Sequence, residues 1–284
     1  TWGVPIPVIY NEDGSPIIEK EVFDHIASLV RKYGANCWYE MDIKDLLPAG
    51  YHNEKSPNGN FTKEKDIMDV WFDSGSSSLA VLEQREGVYP ADLYLEGFDQ
   101  YRGWFNSSLI IGTAINGKAP YKSVVSHGFV LDGEGRKMSK SLGNTIDPNQ
   151  MVNKYGADVL RIWVASSDYQ ADVRVSEDII KQASETYKPL RNRFKFMLGN
   201  LNGYKYEDVK KYEFEDLAIL NELADLENKC HKYYDNYEFA NVLTSIVNFM
   251  QIDLSGFYLD MAKDILYCDS KNSFRRRQVL NVLY

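Results

Sequence analysis

Lys137 and Lys140 stand three residues apart in the stretch Arg136-Lys137-Met138-Ser139-Lys140-Ser141-Leu142-Gly143-Asn144, with Gly133 and Gly135 just ahead of it. A lysine ammonium is a compact point charge on a flexible stem. Two of them on a glycine-hinged loop suit a reaction that sheds a highly charged leaving group such as pyrophosphate, because charge developing in a transition state is best met by cations aimed at it. A bare lysine pair reads as a solvated basic turn. The complete string, with its glycine frame, is more specific.

Two further groups of residues suggest a site. Glu96, Gly97, Asp99 and Gln100 fall where a strand should end and a helix begin. Acidic groups there are favoured by the helix dipole and can act as simple caps; they can equally hold an ammonium or ribose hydroxyls. Gly97 and Gly103 let backbone approach a ligand closely. Trp71, inside 69–75, and Trp104 are candidates for facing walls of an apolar slot, against the plainer reading of two core tryptophans. His127-Gly128 lies ten residues before Lys137 and is a candidate nucleotide contact, although a single histidine near a strand end is more often structural. The four His and three Cys fall at no metal-ligand spacing. No nucleophile stands beside a base. This is the record expected of a reaction driven by positioning and charge stabilisation, such as nucleotidyl transfer.

Elements to hold these groups are legible along the chain. The first half alternates: strands are predicted over 5–9, 67–72, 91–95 and 123–131, and helices over 19–31 and 100–115, with Gly34 and Asn116-Gly117 as stops. Asp73-Ser74-Gly75 reads as a turn. Such alternation implies an α/β fold with an open, mainly parallel sheet, which binds ligands at the carboxyl ends of its strands. Beyond Asp147-Pro148 strand signals almost vanish, and helices are predicted over 148–155, 157–165, 176–201, 217–234 and 238–262. Ser176 is the expected N-cap of the third, which Pro189 should kink. The polar, tyrosine-rich stretch 202–213 is the candidate domain boundary.

The 284 residues allow about two domains. No apolar run near 20 residues is evident, so no membrane segment is expected. Cys37, Cys230 and Cys268 form no disulfide framework, which fits a reducing cytosol. A net charge of −9 argues against gripping nucleic acid by charge alone. The clusters Lys188, Arg191, Arg193, Lys195 and Arg275-Arg276-Arg277 read first as solvated helix faces and second as RNA contacts. The start without Met and the uncapped, helix-like end suggest a piece of a longer polypeptide.

These motifs resemble the class I aminoacyl-tRNA synthetases, and within them the bacterial-type isoleucine branch. The matching segments are 2–7 (WGVPIP), 69–75 (DVWFDSG), 96–105 (EGFDQYRGWF), 137–141 (KMSKS), 155–161 (YGADVLR) and 172–176 (DVRVS). DQYRGWF following DVWFDSG separates this branch from its valyl and leucyl relatives. The resemblance implies the C-terminal part of a Rossmann-like parallel sheet followed by an all-α helical bundle. It divides the chain into the second half of a catalytic domain with the KMSKS loop (1–146), a helical stem-contact region (147–210) and the start of a helical anticodon-binding domain (211–284). It also implies activation of isoleucine by ATP, carried with Mg2+, to an adenylate and pyrophosphate, then transfer to tRNA(Ile). Glu96, Gly97, Asp99 and Gln100 would bind the aminoacyl-adenylate, and Trp71 and Trp104 would line the side-chain slot. Lys137, Met138, Ser139, Lys140, Ser141, His127 and Gly128 would bind ATP, with Lys137 and Lys140 catalytic. A cytoplasmic monomer with no membrane partner is implied. The class's HIGH loop and the editing insertion are not in the chain, and the family's zinc ligands would follow its C-terminus. The isolated chain is therefore expected to hold no metal site and to be inactive alone. The alternatives are a synthetase for valine or another aliphatic amino acid, or a non-catalytic tRNA-binding piece.

Overall fold

The computed structural model describes residues 3–284; Thr1 and Trp2, and with Trp2 the first residue of the 2–7 motif, lie outside the described residues. The chain forms two compact units, Thr1–Ser126 and His127–Tyr284.

In the first unit, β1 (Ile9–Tyr10) precedes α1 (Lys20–Tyr33), α2 (Cys37–Glu40), α3 (Ile43–Leu46) and β2 (Thr62–Lys63). β1 pairs antiparallel with β2, Ile9 opposite Lys63. Gly34 ends α1 at φ 81°, a conformation that only glycine adopts without strain. A small core of Ile9, Ile17, Val22, Ile26, Trp38, Leu46 and Leu47 fills the space between. The strand expected over 5–9 shrinks to its last residue. Pro5 and Pro7 lack the N–H that a ladder needs, and Pro5 makes only an isolated bridge to Ile67.

The rest of this unit is α4 (Val70–Gly75), a π-helical stretch (Ser78–Glu86), β3 (Ala91–Gly97), a 3-10 turn (Phe98–Arg102), α5 (Trp104–Asn116) and β4 (Tyr121–His127), which lies beside β3 and whose last residue, His127, opens the second unit. The expected strand over 67–72 is a correction: from Val70 onward the chain is helical. The Asp69 carboxylate accepts from the Trp71 N–H and caps the new helix. Asp73-Ser74-Gly75, expected as a turn, is its last three residues. Gly75 is buried because α5 crosses there; a Cβ would sit 2.8 Å from the Ser107 carbonyl carbon.

In the second unit, β5 (Val130–Leu131) is followed by α6 (Pro148–Tyr155), α7 (Ala157–Ser166), β6 (Val173–Arg174) and α8 (Glu177–Asn200). β5 and β6 are parallel, Val130 opposite Val173. The single strand expected over 123–131 is thus two strands, broken at Gly128. There the Ala171 carbonyl oxygen lies 2.3 Å from where a Cβ would be. Ser176 caps α8 as expected, its hydroxyl accepting from the Ile179 N–H, and Pro189 lies within that helix.

Helices α9 (Phe214–Asp235), α10 (Phe239–Phe249), a π-helical continuation (Met250–Leu259), α11 (Asp260–Cys268) and α12 (Phe274–Leu283) complete the unit. The run Phe239–Cys268 is long and apolar enough, by length and composition, to cross a membrane. This corrects the expectation that no such run exists. Its Phe249, Met250, Leu254, Tyr258, Leu259, Ala262 and Leu266 are buried against Leu190, Ile219, Val279, Leu280 and Leu283, so it is the central helix of a bundle. Inside this bundle sits a fully buried carboxylate. Asp216 accepts from the Tyr258 hydroxyl at 2.7 Å, from the Glu213 N–H at 3.1 Å and from the Arg275 guanidinium. Burial first, and then the Asp216 carboxylate, push the Tyr258 phenol well above its usual range. A buried charge is tolerated only when paired and hydrogen-bonded. Asp216→Ala strips Arg275 of its partner and is expected to destabilise the bundle by about 3 kcal/mol. Tyr258→Phe, which loses one hydrogen bond, is expected to lose about 1 kcal/mol. Urea unfolding followed by helical circular dichroism checks both.

Candidate functional site

Two groups of predicted site residues are found, one in each unit. In the first unit, β3 ends at Gly97 and the chain turns through Phe98–Arg102 into α5. Glu96 and Asp99 are exposed, Gln100 half-buried and Gly97 buried. The Gln100 side-chain oxygen accepts from the Trp104 N–H at 2.9 Å and so caps α5. Its amide nitrogen lies 3.4 Å from the Asp99 carboxylate. The Glu96 carboxylate accepts from the Gly97 N–H at 2.9 Å.

Gly103 brings the aromatic residues to this turn. A Cβ there would meet the Gln100 side-chain oxygen at 2.7 Å and the Trp71 ring at 3.0 Å. Trp71 and Gln100 therefore pack onto one glycine, and Trp71 keeps 45% of its surface exposed. Trp104 is placed differently from the expectation of a facing wall. Its ring stacks on Tyr94 at 4.2 Å and 5°. Its indole N–H donates to the Ser74 carbonyl at 3.0 Å, fastening the end of α4 to α5. One face and the polar edge of Trp104 are thus structural, and Trp71 is the more open indole.

In the second unit, the lysine loop is built on Asp132, which is 6% exposed. Its carboxylate accepts from the Glu134 N–H (3.0 Å), the Arg136 N–H (2.8 Å), Arg136 Nε (3.0 Å) and Asn144 Nδ2 (2.8 Å). The Asn144 bond foremost, then the Arg136 N–H, hold its carboxyl well below the usual carboxylate range, against the opposing effect of burial. Leu131 bridges antiparallel to Lys137 and closes the hairpin. Gly135, at φ 82°, lies against the Arg174 guanidinium, and Gly133 lies against Ser176. The 172–176 motif therefore packs behind the loop. Asp172 also accepts from the Phe129 N–H at 2.7 Å.

Along the loop the side chains differ in role. Lys137 and Lys140 are exposed, and among the described residues neither ammonium makes an ion pair. Met138, between them, packs onto the core of Val159, Val175 and Ile180. The Ser139 hydroxyl lies 3.1 Å from that of Ser141 and accepts from the Leu142 N–H at 3.2 Å. His127 Nδ1 is 2.8 Å from the Gly128 carbonyl oxygen, a hydrogen bond in which the ring nitrogen donates. The Gly128 N–H donates to the Tyr169 carbonyl. Among the described residues no three His, Cys, Asp or Glu side chains cluster to hold a metal.

Asp132 and Asn144 were not singled out by sequence reasoning. The turn pairs Asp132-Gly133 and Gly143-Asn144 at the two ends of the loop were the available signal. Their partnership across twelve residues was not.

Residues 1–176 match the family of tRNA synthetases class I (I, L, M and V). Residues 216–284 match the anticodon-binding domain of tRNA ligase. The whole chain is 57% identical over 288 aligned residues to the isoleucine-tRNA ligase of Bacillus cereus (strain B4264), and covers 31% of that protein. It is 56% identical to the isoleucine-tRNA ligase of Bacillus cereus (strain AH187), again covering 31% of it. The chain thus spans under a third of the length of these curated relatives. In structure, it resembles the Agrobacterium radiobacter K84 agnB2 LeuRS of the LeuRS-tRNA-LeuAMS ternary complex. The TM-score is 0.69 at 20% identity, over 99% of this chain and 36% of that one. This likeness, with the family match, gives the fold: a Rossmann-like class I catalytic fold passing into helices.

Asp132 should leave a signature in acid. A carboxyl whose folded pKa is depressed stabilises the fold fully above its unfolded value of about 3.9, and that contribution is lost as pH falls below it. Urea midpoints measured between pH 6 and pH 2.5 are expected to fall less steeply for Asp132→Asn than for the parent below about pH 4, after allowing for a uniform offset.

Proposed function

This chain belongs to the class I tRNA synthetases, and we propose that it is a segment of an isoleucine-tRNA ligase that activates isoleucine with ATP and passes it to tRNA(Ile). The observation that carries the reading is the loop at 136–144. It presents two ammonium groups with no ion pair among the described residues, on a backbone fixed by a buried carboxylate, within a chain 57% identical throughout to an isoleucine-tRNA ligase.

The isoleucine carboxylate attacks the α-phosphate of ATP. A bond forms between carboxylate oxygen and phosphorus, the bond to the bridging oxygen breaks, and pyrophosphate leaves with the electron pair. Lys137 and Lys140 meet the charge that develops on that leaving group. Mg2+ arrives with the triphosphate as part of the substrate. Backbone and hydroxyl groups of Met138, Ser139 and Ser141, with His127 and Gly128, would line the nucleotide path. The Met138 side chain itself serves to anchor the loop. Glu96 and Asp99, both exposed and anionic, suit the ammonium of the amino acid and the ribose hydroxyls, while Gly97 and Gln100 shape the turn that carries them. Trp71 is proposed as the main apolar wall for the isoleucine side chain, and Trp104 as its support.

In the same reading, residues 1–146 are the second half of the catalytic domain, 147–210 a stem-contact region and 211–284 the start of the anticodon-binding domain. The enzyme is proposed to work as a cytosolic monomer. A valine enzyme is the competing reading, and amino-acid-dependent pyrophosphate exchange with each aliphatic amino acid separates the two.

In the full-length enzyme, Lys140→Ala is expected to slow isoleucine-dependent pyrophosphate exchange by two or more orders of magnitude, with the thermal midpoint unchanged. Exchange at the parental rate would remove the lysine from the mechanism. Trp71→Ala is expected to raise the KM for isoleucine about tenfold or more and that for ATP far less. Equal losses would contradict the slot.

A further inference from the structure

We propose that Asn144 is a positioning residue for the lysine loop: its carboxamide, docked on the buried Asp132 carboxylate, fixes the main chain on both sides of Met138 and thereby aims Lys137 and Lys140. The inference rests on the reading that these lysines meet the triphosphate.

The geometry uses both ends of the Asn144 amide. Nδ2 donates to Asp132 Oδ2 at 2.8 Å and to the Lys137 carbonyl at 3.2 Å, and Oδ1 accepts from the Ser139 N–H at 2.9 Å. One planar group therefore holds the peptide after Lys137 and the peptide before Ser139. Between them Met138 turns into the core of Val159, Val175 and Ile180. With residue 138 held inward and its flanking peptides tied down, the Cα–Cβ direction of Lys137 is set and the path to Lys140 is confined. The turn continues with the Gly143 N–H donating to the Lys140 carbonyl at 3.2 Å. Among the described residues no ion pair directs either lysine, so their aim comes from the main chain.

Only a carboxamide meets this pattern. It supplies two donors for two acceptors and an acceptor for one donor. Aspartate at 144 has the same shape but no donor, and would face the Asp132 carboxylate and the Lys137 carbonyl with like charge and lone pairs. Alanine removes one hydrogen bond from each of three partners, Asp132, the Lys137 carbonyl and the Ser139 N–H. Arg136 also bonds Asp132, so the carboxylate keeps a counter-ion when residue 144 changes, and the hairpin base should survive.

The test uses the full-length enzyme, ATP-pyrophosphate exchange with isoleucine, and three variants: Asn144→Asp, Asn144→Ala and Lys140→Ala. For both Asn144 variants kcat is expected to fall at least about tenfold while the isoleucine KM stays within about twofold. Amide exchange of residues 136–143 should accelerate, and the loss should show in kcat per folded active site, beyond any fall in the thermal midpoint. A residue that matters only for folding would instead lower the midpoint and the active fraction, leaving kcat per active site unchanged; that result overturns the inference. Parental kcat in Asn144→Asp alongside a crippled Lys140→Ala overturns it too, and leaves the proposed function standing. Parental exchange in Lys140→Ala removes the function proposed for the loop and this inference with it. Should Asn144→Ala fail to fold, Asn144→Asp, which keeps the side-chain volume, decides.

Discussion

A single buried carboxylate organises the loop that the proposed chemistry depends on. Asp132 collects four hydrogen bonds, all from residues 134–144 of its own loop. An ionised group with so little exposure is tolerable only when so fully satisfied. Donors drawn from one short segment turn that requirement into a shape. The loop folds around the charge because leaving the charge without donors would be worse. Everything behind it is backing. β5 takes its register from β6, Gly133 and Gly135 lie on Ser176 and Arg174, and Met138 reaches the core shared by α7 and α8. The helices of the second unit thus serve as a packed floor, from which both lysine side chains project into solvent.

In the first unit the organising constraint is steric. Two glycines, Gly75 and Gly103, let α4, α5 and the turn before α5 approach to distances that a Cβ forbids. The polar edge of Trp104 is then fastened to the Ser74 carbonyl and its face to Tyr94. What emerges is an asymmetric pair of indoles, one built into the scaffold and one left half in solvent. A binding wall that rests on a fixed neighbour is easier to keep in place than two mobile ones.

Much of this was legible in the sequence, and the failures have identifiable physics. Helices α6, α7 and α8 followed from helical spacing, with Ser176 as the expected cap of the last; that Asp147 caps α6 ahead of Pro148 is a finding of the structure. The run 67–72 misled because a short apolar stretch looks alike as strand or helix. Its capping residue, Asp69, decided the matter. Val70, Trp71 and Phe72 are not buried as a central strand would have them; each stays substantially exposed. Lys137 and Lys140 stood out because their spacing and glycine frame are local. Asp132 and Asn144 did not, since a hydrogen bond between residues twelve apart leaves no period and no composition to read. The same holds for Asp216 and Arg275, which meet only after the bundle has closed.

The last helix has a consequence for how the polypeptide is made. Gln278 of α12 donates to the Lys211 carbonyl, Asn281 bonds the Glu207 backbone, and Arg275 carries the partner charge for Asp216. The ties reach back 67, 74 and 59 residues, to the stretch that links α8 to α9 and to the start of α9. On a ribosome, which releases the N-terminal side first at roughly 5–20 residues per second, that linker and the Asp216 carboxylate must wait for several seconds without their partners. The growing chain therefore passes through an interval in which α9 can form but cannot be sealed, and α12, on emerging from the exit tunnel, acts as the latch.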